Sequence, residues 1–377
     1  RATAATRVDE NGLVNYAEAV SETELVTNGN FATDSDWIKS SNTTISGGQA
    51  TFAAIAANQY LVQTNLWTRN TLSGQKVSLT YTVVSNTLNS GDFKIGGVTG
   101  ASAFNISVLN STVGTHNILL DVRTSVGDDN AFDLSITATS GSLSIENVSL
   151  KEVIRDNVPR IDYTGGGCPH ILAEPQRTNI LPYSEDFTNV SWIKVNSTVT
   201  PNTSVSPNGT LTADKFIPNN TTASIFIYNQ VTFSASAYTL SFFVKYNGIQ
   251  YFQLLFGSQA SSDFSNFDLI NHTVTSGNGN IEDYGNDWYK ISLTSNISAV
   301  TSEVYLWPID SATSSRASAS TGNGTDGVYM WGAQLEEGSY ATSYIPTSGS
   351  SVTRNQDIFS RDGIGSLINS EEGVLFV

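Results

Sequence analysis

The side chains in this sequence best suited to chemistry are aromatic. The 377 residues include 6 Trp and 15 Tyr. Sugar rings present apolar C–H faces that stack on Trp and Tyr, while Asn, Gln and Asp side chains hydrogen-bond the hydroxyl groups. For each aromatic residue, burial in a core is the competing interpretation. Six side chains are our candidates for contact with a glycan: Trp67, Tyr246, Tyr251, Tyr284, Trp288 and Trp307.

Three further tryptophans have positions that favour a structural role. Trp37 and Trp192 follow the openings of two similar blocks of sequence, and Trp331 lies near the end of the second block. We expect all three to be core residues or plugs at the edge of a core.

Patterns for catalysis or metal binding are weak. One cysteine excludes an internal disulfide, and Cys168-Pro169-His170 supplies only two of the four ligands of a zinc site. We expect Cys168 to be a small buried thiol in a packed loop. Adjacent carboxylates such as Glu336-Glu337 point to opposite faces of a strand, so they do not make the pair that a glycosidase needs across its cleft. We therefore predict no enzymatic activity.

Residues 322–327 match the glycine pattern GxGxxG. That pattern indicates nucleotide binding only between a strand and a helix. Here it precedes Val328–Glu336, which is patterned as a strand. We interpret it as a loop between strands.

Composition limits the partners of the chain. Charged residues make up 14%, against roughly 25% in an ordinary soluble protein. The formal net charge is −16, and no basic cluster relieves the repulsion from nucleic acid. No apolar run reaches the length of a transmembrane span, so we predict no membrane insertion. A neutral ligand, or one bound through cations, remains compatible with this charge.

Hydrophobic periodicity and turn residues predict an all-β fold of tandem antiparallel β-sandwiches joined by irregular connectors. The blocks span 23–153 and 179–338, and both open with Phe and Trp, at Phe31 and Trp37 and again at Phe187 and Trp192. Asn28-Gly29 and Gly47-Gly48 are turn pairs that indicate hairpins. An N-terminal arm (1–22), a connector (154–178) and a last segment (339–377) complete the chain.

The blocks resemble the jelly-roll carbohydrate-binding modules. The residues that carry this resemblance in the first block are Asn28, Gly29, Phe31, Trp37 and the closing strand Asn147-Val148-Ser149-Leu150. The second block is similar but has no Asn-Gly pair, and Trp331–Leu335 replaces its closing motif. Such modules often hold a structural calcium ion near the first and last strands, where Glu146 and Glu336 stand in this chain.

The connectors resemble segments of structural proteins of tailed bacteriophages. These are residues 1–13, 159–179 and 340–354, and the stretch 359–377 is similar to the entry into a concanavalin-like lectin domain. The resemblance implies a virion subunit of the tail-fibre, spike or adhesin type. It also implies other virion proteins and host surface glycan as partners, and a symmetric homo-oligomer, most often a trimer. Because the chain starts with Arg and ends within an apolar run, we expect it to continue at both ends.

Two other functions remain open at this stage. The chain could be the non-catalytic, glycan-binding portion of a secreted polysaccharide-degrading enzyme, in which case a catalytic domain should flank it. It could also be a purely architectural virion subunit that binds no sugar. Binding to a glycan array separates a glycan-recognising virion subunit from the architectural one.

Overall fold

A computed structural model gives the structure of the chain. It describes residues 5–54, 59–68, 72, 74–98, 102–124, 130–155, 158–166 and 168–358. The segment that resembles the entry into a lectin domain, 359–377, lies outside the described residues. Within the described residues, no helix is long and apolar enough to cross a membrane.

Almost all regular structure in the described chain is β-strand, with one 3-10 turn at Thr164–Gly166. The strands up to residue 154 are β1 (Thr6–Val8), β2 (Val14–Tyr16), β3 (Ala19–Glu24), β4 (Ile38–Lys39), β5 (Thr43–Ser46), β6 (Gln49–Ala53), β7 (Gln59–Gln63), β8 (Lys76–Asn86), β9 (Phe93–Ile95), β10 (Ser107–Val108), β11 (Gly114–Asp121), β12 (Phe132–Ile136) and β13 (Ser142–Ile154).

The later strands are β14 (Ile161–Asp162), β15 (His170–Ile171), β16 (Arg177–Asn179), β17 (Ile193–Val195), β18 (Ser197–Val205), β19 (Leu211–Pro218), β20 (Thr222–Ala223), β21 (Phe226–Phe233), β22 (Ser236–Asn247), β23 (Tyr251–Phe256), β24 (Phe264–Asp268), β25 (Thr273–Ser276), β26 (Asn280–Asp283), β27 (Tyr289–Ile297), β28 (Val300–Ile309), β29 (Ser320–Thr321), β30 (Gly327–Glu337) and β31 (Val352–Arg354). Their pairing is antiparallel, so the predicted fold class is confirmed.

The chain forms two compact units. The first unit is Glu18–Ile154, and the second combines Arg1–Ala17 with Arg155–Val377. In the first unit the strand orders are β11-β8-β13-β6-β5, with β3 also on β13, and β10-β9-β12-β7-β4. Alternation along β8 turns Val77, Leu79, Tyr81 and Val83 into the core between the sheets.

The second unit has two six-stranded sheets. We call β17-β21-β28-β23-β24-β25 the front sheet and β18-β19-β30-β22-β27-β26 the back sheet. Alternate residues of both sheets face each other and fill the core, among them Leu240 and Phe242 from the back sheet and Leu254 and Leu306 from the front sheet. Residues 322–326 form the loop between β29 and β30, as the glycine pattern before a strand predicts, and Gly327 begins β30.

The two sandwiches open with the same interactions. Phe31 and Trp37 have ring centroids 5.6 Å apart, and Phe187 and Trp192 have theirs 5.1 Å apart. Each indole N–H donates to a carbonyl nine residues earlier, at 3.1 Å for Trp37 and 2.8 Å for Trp192. Both tryptophans are buried, and so is Trp331, as their positions predict. The shared opening therefore has one structural role in both units.

The turn pair Asn28-Gly29 does not form the predicted hairpin. It lies in the loop between β3 and β4, whereas Gly47-Gly48 does join the hairpin strands β5 and β6. The Gly29 carbonyl instead accepts a 2.8 Å hydrogen bond from the amide of Val148. A Cβ at Gly29 would lie 1.9 Å from the Val148 carbonyl oxygen. Glycine is needed here because the closing strand passes directly over it.

The segment expected to be an irregular arm, 1–22, is divided between two structures. Residues 6–16 form a hairpin, β1-β2, with Thr6 opposite Tyr16. Its turn is fixed by Asp9, whose carboxylate accepts hydrogen bonds from the amides of Asn11 and Leu13 at 2.9 Å each. The residues after Ala17 enter the first sandwich as β3, paired with β13. The described residues of 1–22 therefore form strands in both units rather than one irregular segment.

Candidate functional site

Aromatic side chains cover the solvent side of the front sheet. Along β21 and β28, Ile227, Leu306 and their alternates face the core, so the residues between them face outward. The register places Tyr305 opposite Tyr228, and Tyr228 opposite Ile193 of β17. We call this surface the aromatic face, and its residues are Ile193, Phe226, Tyr228, Tyr305 and Trp307.

The rings of the aromatic face pack closely against one another. Phe226 stacks on Trp307 with centroids 4.3 Å apart and planes 21° apart, and its centroid is 5.4 Å from that of Tyr305. Tyr228 and Tyr305 are 5.3 Å apart. Trp307 is buried, with 5% exposure, and lies beneath the others. Phe226, Tyr228 and Tyr305 are half-buried, and each keeps part of its surface open to a ligand.

The tyrosines add hydrogen-bonding groups to this apolar surface. Burial, together with the carboxylate of Glu303, raises the pKa of Tyr305 to about 12. The Tyr305 hydroxyl is therefore protonated at neutral pH and can donate a hydrogen bond. Partly exposed aromatic rings that carry hydroxyl groups are suited to contact the apolar face of a sugar ring.

A loop after β28 forms one rim of the aromatic face. The Trp307 indole donates a 2.8 Å hydrogen bond to the carbonyl of Ser318 in this loop. The fully buried side chain of Gln253 donates to the Asn266 carboxamide at 2.7 Å and accepts from the amide of Ala317 at 2.8 Å. Because these buried amides have several partners each, the rim is held in one conformation.

Of the six side chains selected from sequence, one belongs to this face and a second packs beside it. Trp307 is its buried base, and Tyr251 is a half-buried member of the same cluster on β23. Tyr246 projects from β22 in the back sheet and is 43% exposed. Trp67, in the first unit, is half-buried against the core, with its ring centroid 6.5 Å from that of Phe104.

Tyr284 and Trp288 lie on the outer side of the back sheet, where the β1-β2 hairpin packs. Trp288 is 2% exposed, and its indole donates a 3.0 Å hydrogen bond to the carbonyl of Val205. It belongs to the cluster that buries Val8 and Val14 of the hairpin, and half-buried Tyr284 packs against this cluster. Trp288 therefore has no free ring face for a sugar.

Sequence reasoning missed the half-buried rings Phe226, Tyr228 and Tyr305. Their signal is present at one end of β21 and β28, where the outward positions hold Phe226 and Tyr228 on β21 and Tyr305 and Trp307 on β28. A strand of a two-layer sandwich needs apolar residues on one side only. The aromatic residues on the other side are therefore in excess of what the core requires.

Cys168 does not occupy the expected buried position. It is exposed, in the loop between β14 and β15, where the chain turns at Gly165 with φ of +80°. His170, also exposed, has its Nε2 3.7 Å from the Asp162 carboxylate. In the described part of the chain no three His, Cys, Asp or Glu side chains group as metal ligands do.

The carboxylate expected near a calcium ion in the second unit is already occupied. Glu336 is fully buried and accepts hydrogen bonds from the amide and hydroxyl of Thr342 at 2.8 and 2.6 Å. In the opening loop, the ammonium of Lys194 shares its three N–H donors among four backbone carbonyls at 2.8–3.2 Å, those of Phe187, Thr188, Asn189 and Trp192. A lysine thus supplies the positive charge that a bound cation would bring to this loop.

Replacing Lys194 with methionine should destabilise the second unit by about 2 kcal/mol, because four carbonyls lose a charged donor. The matched control is Lys39→Met in the first unit. Lys39 follows Trp37 at the same spacing, but its partner Asp34 is exposed, so the loss should stay below about 1 kcal/mol. Urea unfolding followed by hydrogen exchange in each unit measures both effects. Equal losses would contradict the structural role of Lys194.

Comparisons with known proteins add little to this geometry. No protein-family model and no curated protein matches the sequence. The structural neighbours include a plant complex of the peptide RALF23 with FER and LLG2, at 13% identity and a TM-score of 0.23, with coverage of 83% of this chain and 92% of that one. The plant receptor-like kinase FER has 10% identity and a TM-score of 0.22, covering 84% and 92%. These TM-scores are too low to carry an argument.

Proposed function

We propose that this chain is part of a bacteriophage virion attachment protein, and that the aromatic face of its second sandwich binds host surface glycan. The observation that carries the proposal is the exposed surface of Phe226, Tyr228 and Tyr305 on the solvent side of a sheet. The resemblance of the connectors to phage structural proteins supports the virion context. Other virion proteins and further copies of this chain are the expected partners.

Binding at one such face would be shallow and weak. A site of this type needs only millimolar to micromolar affinity, because linked copies in an oligomer gain through effective concentration. Glycan binding by an intact oligomer should therefore greatly exceed that by an isolated sandwich.

A glycan array probed with the intact protein tests the proposal. Tyr228→Ala and Tyr305→Ala should each weaken binding to the best glycan by about two- to twelvefold, as expected for loss of one aromatic contact. Tyr246→Ala is the matched control, since this tyrosine is exposed on the back sheet. We expect no change in that variant. Loss of binding in Tyr246→Ala alone would place the site elsewhere.

The architectural alternative has one observation in its favour. The aromatic face includes Ile193, which is 43% exposed, and an apolar surface of this kind also suits contact with another protein. An intact oligomer that binds no glycan, but dissociates when Tyr228 and Tyr305 are both replaced with alanine, would support the architectural function instead. The enzyme alternative is decided by whether the flanking reading frame encodes a catalytic domain.

A further inference from the structure

A cavity of about 320 Å³ opens on the outer side of the back sheet. Its walls come from the β1-β2 hairpin, from the connector around β14 and β15, from β26 and β27, and from the segment after β30. Its lining includes the apolar side chains of Val14, Leu172 and Phe243. Tyr284 and Lys290 also line it and lie beside Phe243, with the Tyr284 ring centroid 4.8 Å and the Lys290 ammonium 5.7 Å from the Phe243 ring centre. The second unit contributes all of these residues.

Lys290 is a buried cationic group of the cavity, whose lining also includes the side chains of Arg7, Asp162, His170, Glu174 and Glu282. Its side chain lies on β27 and is 3% exposed, and its ammonium donates one hydrogen bond, of 2.5 Å, to the carbonyl of Thr342. An ammonium has three N–H donors, and no other acceptor among the described residues takes the remaining two. Burial lowers the pKa of Lys290, and the charges of Glu336, Glu282 and Glu174 only partly offset this effect. An acceptor that enters from the cavity would satisfy the remaining donors and stabilise the charged form.

The nearby buried carboxylates do not contact this ammonium. Glu174 pairs with Arg160 and Arg354, at 2.8 Å each. Glu336 accepts from Thr342 and lies 3.8 Å from Arg177. Lys290 takes part in no ion pair with the described residues, whereas the buried guanidinium groups beside it do. Among the described residues, Lys290 therefore lacks the contacting carboxylate that the neighbouring Arg160 and Arg354 have.

The Tyr284 hydroxyl and the Glu282 carboxylate are two further polar groups in the lining of the cavity. Tyr284 has no hydrogen-bond partner for its hydroxyl among the described residues, and burial raises its pKa, so the hydroxyl stays protonated. Glu282, at the exposed mouth, uses one carboxylate oxygen to accept a 2.7 Å hydrogen bond from Asn280. Its other oxygen remains available to a ligand hydroxyl.

We propose that this cavity binds a small hydroxy acid, such as a sugar acid. The ligand carboxylate accepts hydrogen bonds from Lys290 and Tyr284, its carbon skeleton lies against Phe243 and Leu172, and a hydroxyl group donates to Glu282. The volume admits a molecule of monosaccharide size. This inference does not depend on glycan binding at the aromatic face, because the two sites lie on opposite sheets and involve different residues.

Saturation-transfer NMR with three probes tests the proposal on the intact chain. D-glucuronate carries both a carboxylate and hydroxyl groups, D-glucose carries hydroxyl groups alone, and propionate carries a carboxylate alone. We expect glucuronate to bind with a dissociation constant of about 1 mM or below, and the other two at least tenfold more weakly. Absence of glucuronate binding, or equal binding of glucose, would overturn the proposal.

Variants locate the site. Lys290→Met should weaken glucuronate binding by about 10- to 100-fold, the effect of losing a charge-assisted hydrogen bond. Tyr284→Phe, which keeps the ring and the ammonium, should weaken it about fivefold and guards against misfolding of the first variant. Lys245→Met is the control, because Lys245 pairs with the exposed Asp287 on the surface. Unchanged binding in folded Tyr284→Phe and Lys290→Met proteins would refute the site.

Discussion

Replacing Arg160 with methionine should lower the free energy of unfolding of the second unit by about 3–5 kcal/mol, since removing one partner leaves buried charges unpaired. Arg160 is fully buried and pairs with Glu174 at 2.8 Å and with Asp357. It also donates to the carbonyl of Thr6 at 3.1 Å and to the hydroxyl of Ser343 at 2.7 Å. One side chain thus joins the β1-β2 hairpin, the connector after the first sandwich and the segment after β30.

The loss of unfolding free energy caused by Arg160→Met should be smaller at acid pH. Burial alone would raise the pKa of Glu174, but the charge of Arg354, hydrogen bonds from Ser343 and the charge of Arg160 outweigh it, so the pKa is lowered from 4.5. A carboxyl with a lowered pKa stabilises the fold above its ordinary pKa, and this contribution disappears as the pH falls through the folded-state value. The difference between Arg160→Met and the parent protein should therefore narrow below pH 4.5.

Denaturant unfolding at a series of pH values measures this effect, with Lys245→Met as the surface control. That control should cost below about 1 kcal/mol at neutral pH, because the partner Asp287 is exposed. A loss in Arg160→Met no larger than in the control would show that the three segments do not depend on this guanidinium.

Gly29→Ala should destabilise the first unit by about 2–3 kcal/mol. The new Cβ would lie 1.9 Å from the Val148 carbonyl oxygen, which is backbone and can yield only if the closing strand moves. That movement would also break the hydrogen bond from the Val148 amide to the Gly29 carbonyl, now 2.8 Å.

Gly48→Ala is the matched control for this substitution. Gly48 has a φ of +80°, and a Cβ there would meet only the carbonyl oxygen of Asn30, at an ordinary contact distance of 3.7 Å. Alanine at this position therefore costs only the strain of a left-handed backbone, about 1 kcal/mol. Hydrogen exchange should show the loss within Glu18–Ile154 and leave the second unit protected. Equal effects of the two substitutions would mean that the close approach of Val148 does not matter.

The second sandwich has no Asn-Gly pair, and its structure shows why glycine is not required there. Ser184 takes the place of Gly29, eight residues before the tryptophan, and its carbonyl accepts from the amide of Ala333 at 2.8 Å, as Gly29 accepts from Val148. The Ser184 hydroxyl accepts a 2.8 Å hydrogen bond from the amide of Thr347. A side chain is tolerated there because the segment after β30 docks on it.

Local sequence patterns were sufficient to predict some structural features but not others. Alternation along β8 and β22 and the Gly47-Gly48 turn depend on near neighbours, so the strands and the β5-β6 hairpin could be predicted. The approach of Val148 to Gly29 joins residues more than a hundred positions apart, and no local pattern encodes it. The aromatic face likewise depends on register between β17, β21 and β28, which periodicity alone does not supply.

The division of the chain makes the first sandwich an inserted domain. The chain leaves the second unit after Ala17 and returns to it at Arg155, whose guanidinium lies 3.8 Å from the ring centre of Tyr16. The exit and the re-entry are therefore adjacent. Tension applied between Ala5 and Ile358 would pass through the second unit by way of its Arg160 network and would bypass the inserted sandwich. The inserted sandwich would remain unloaded until that network failed.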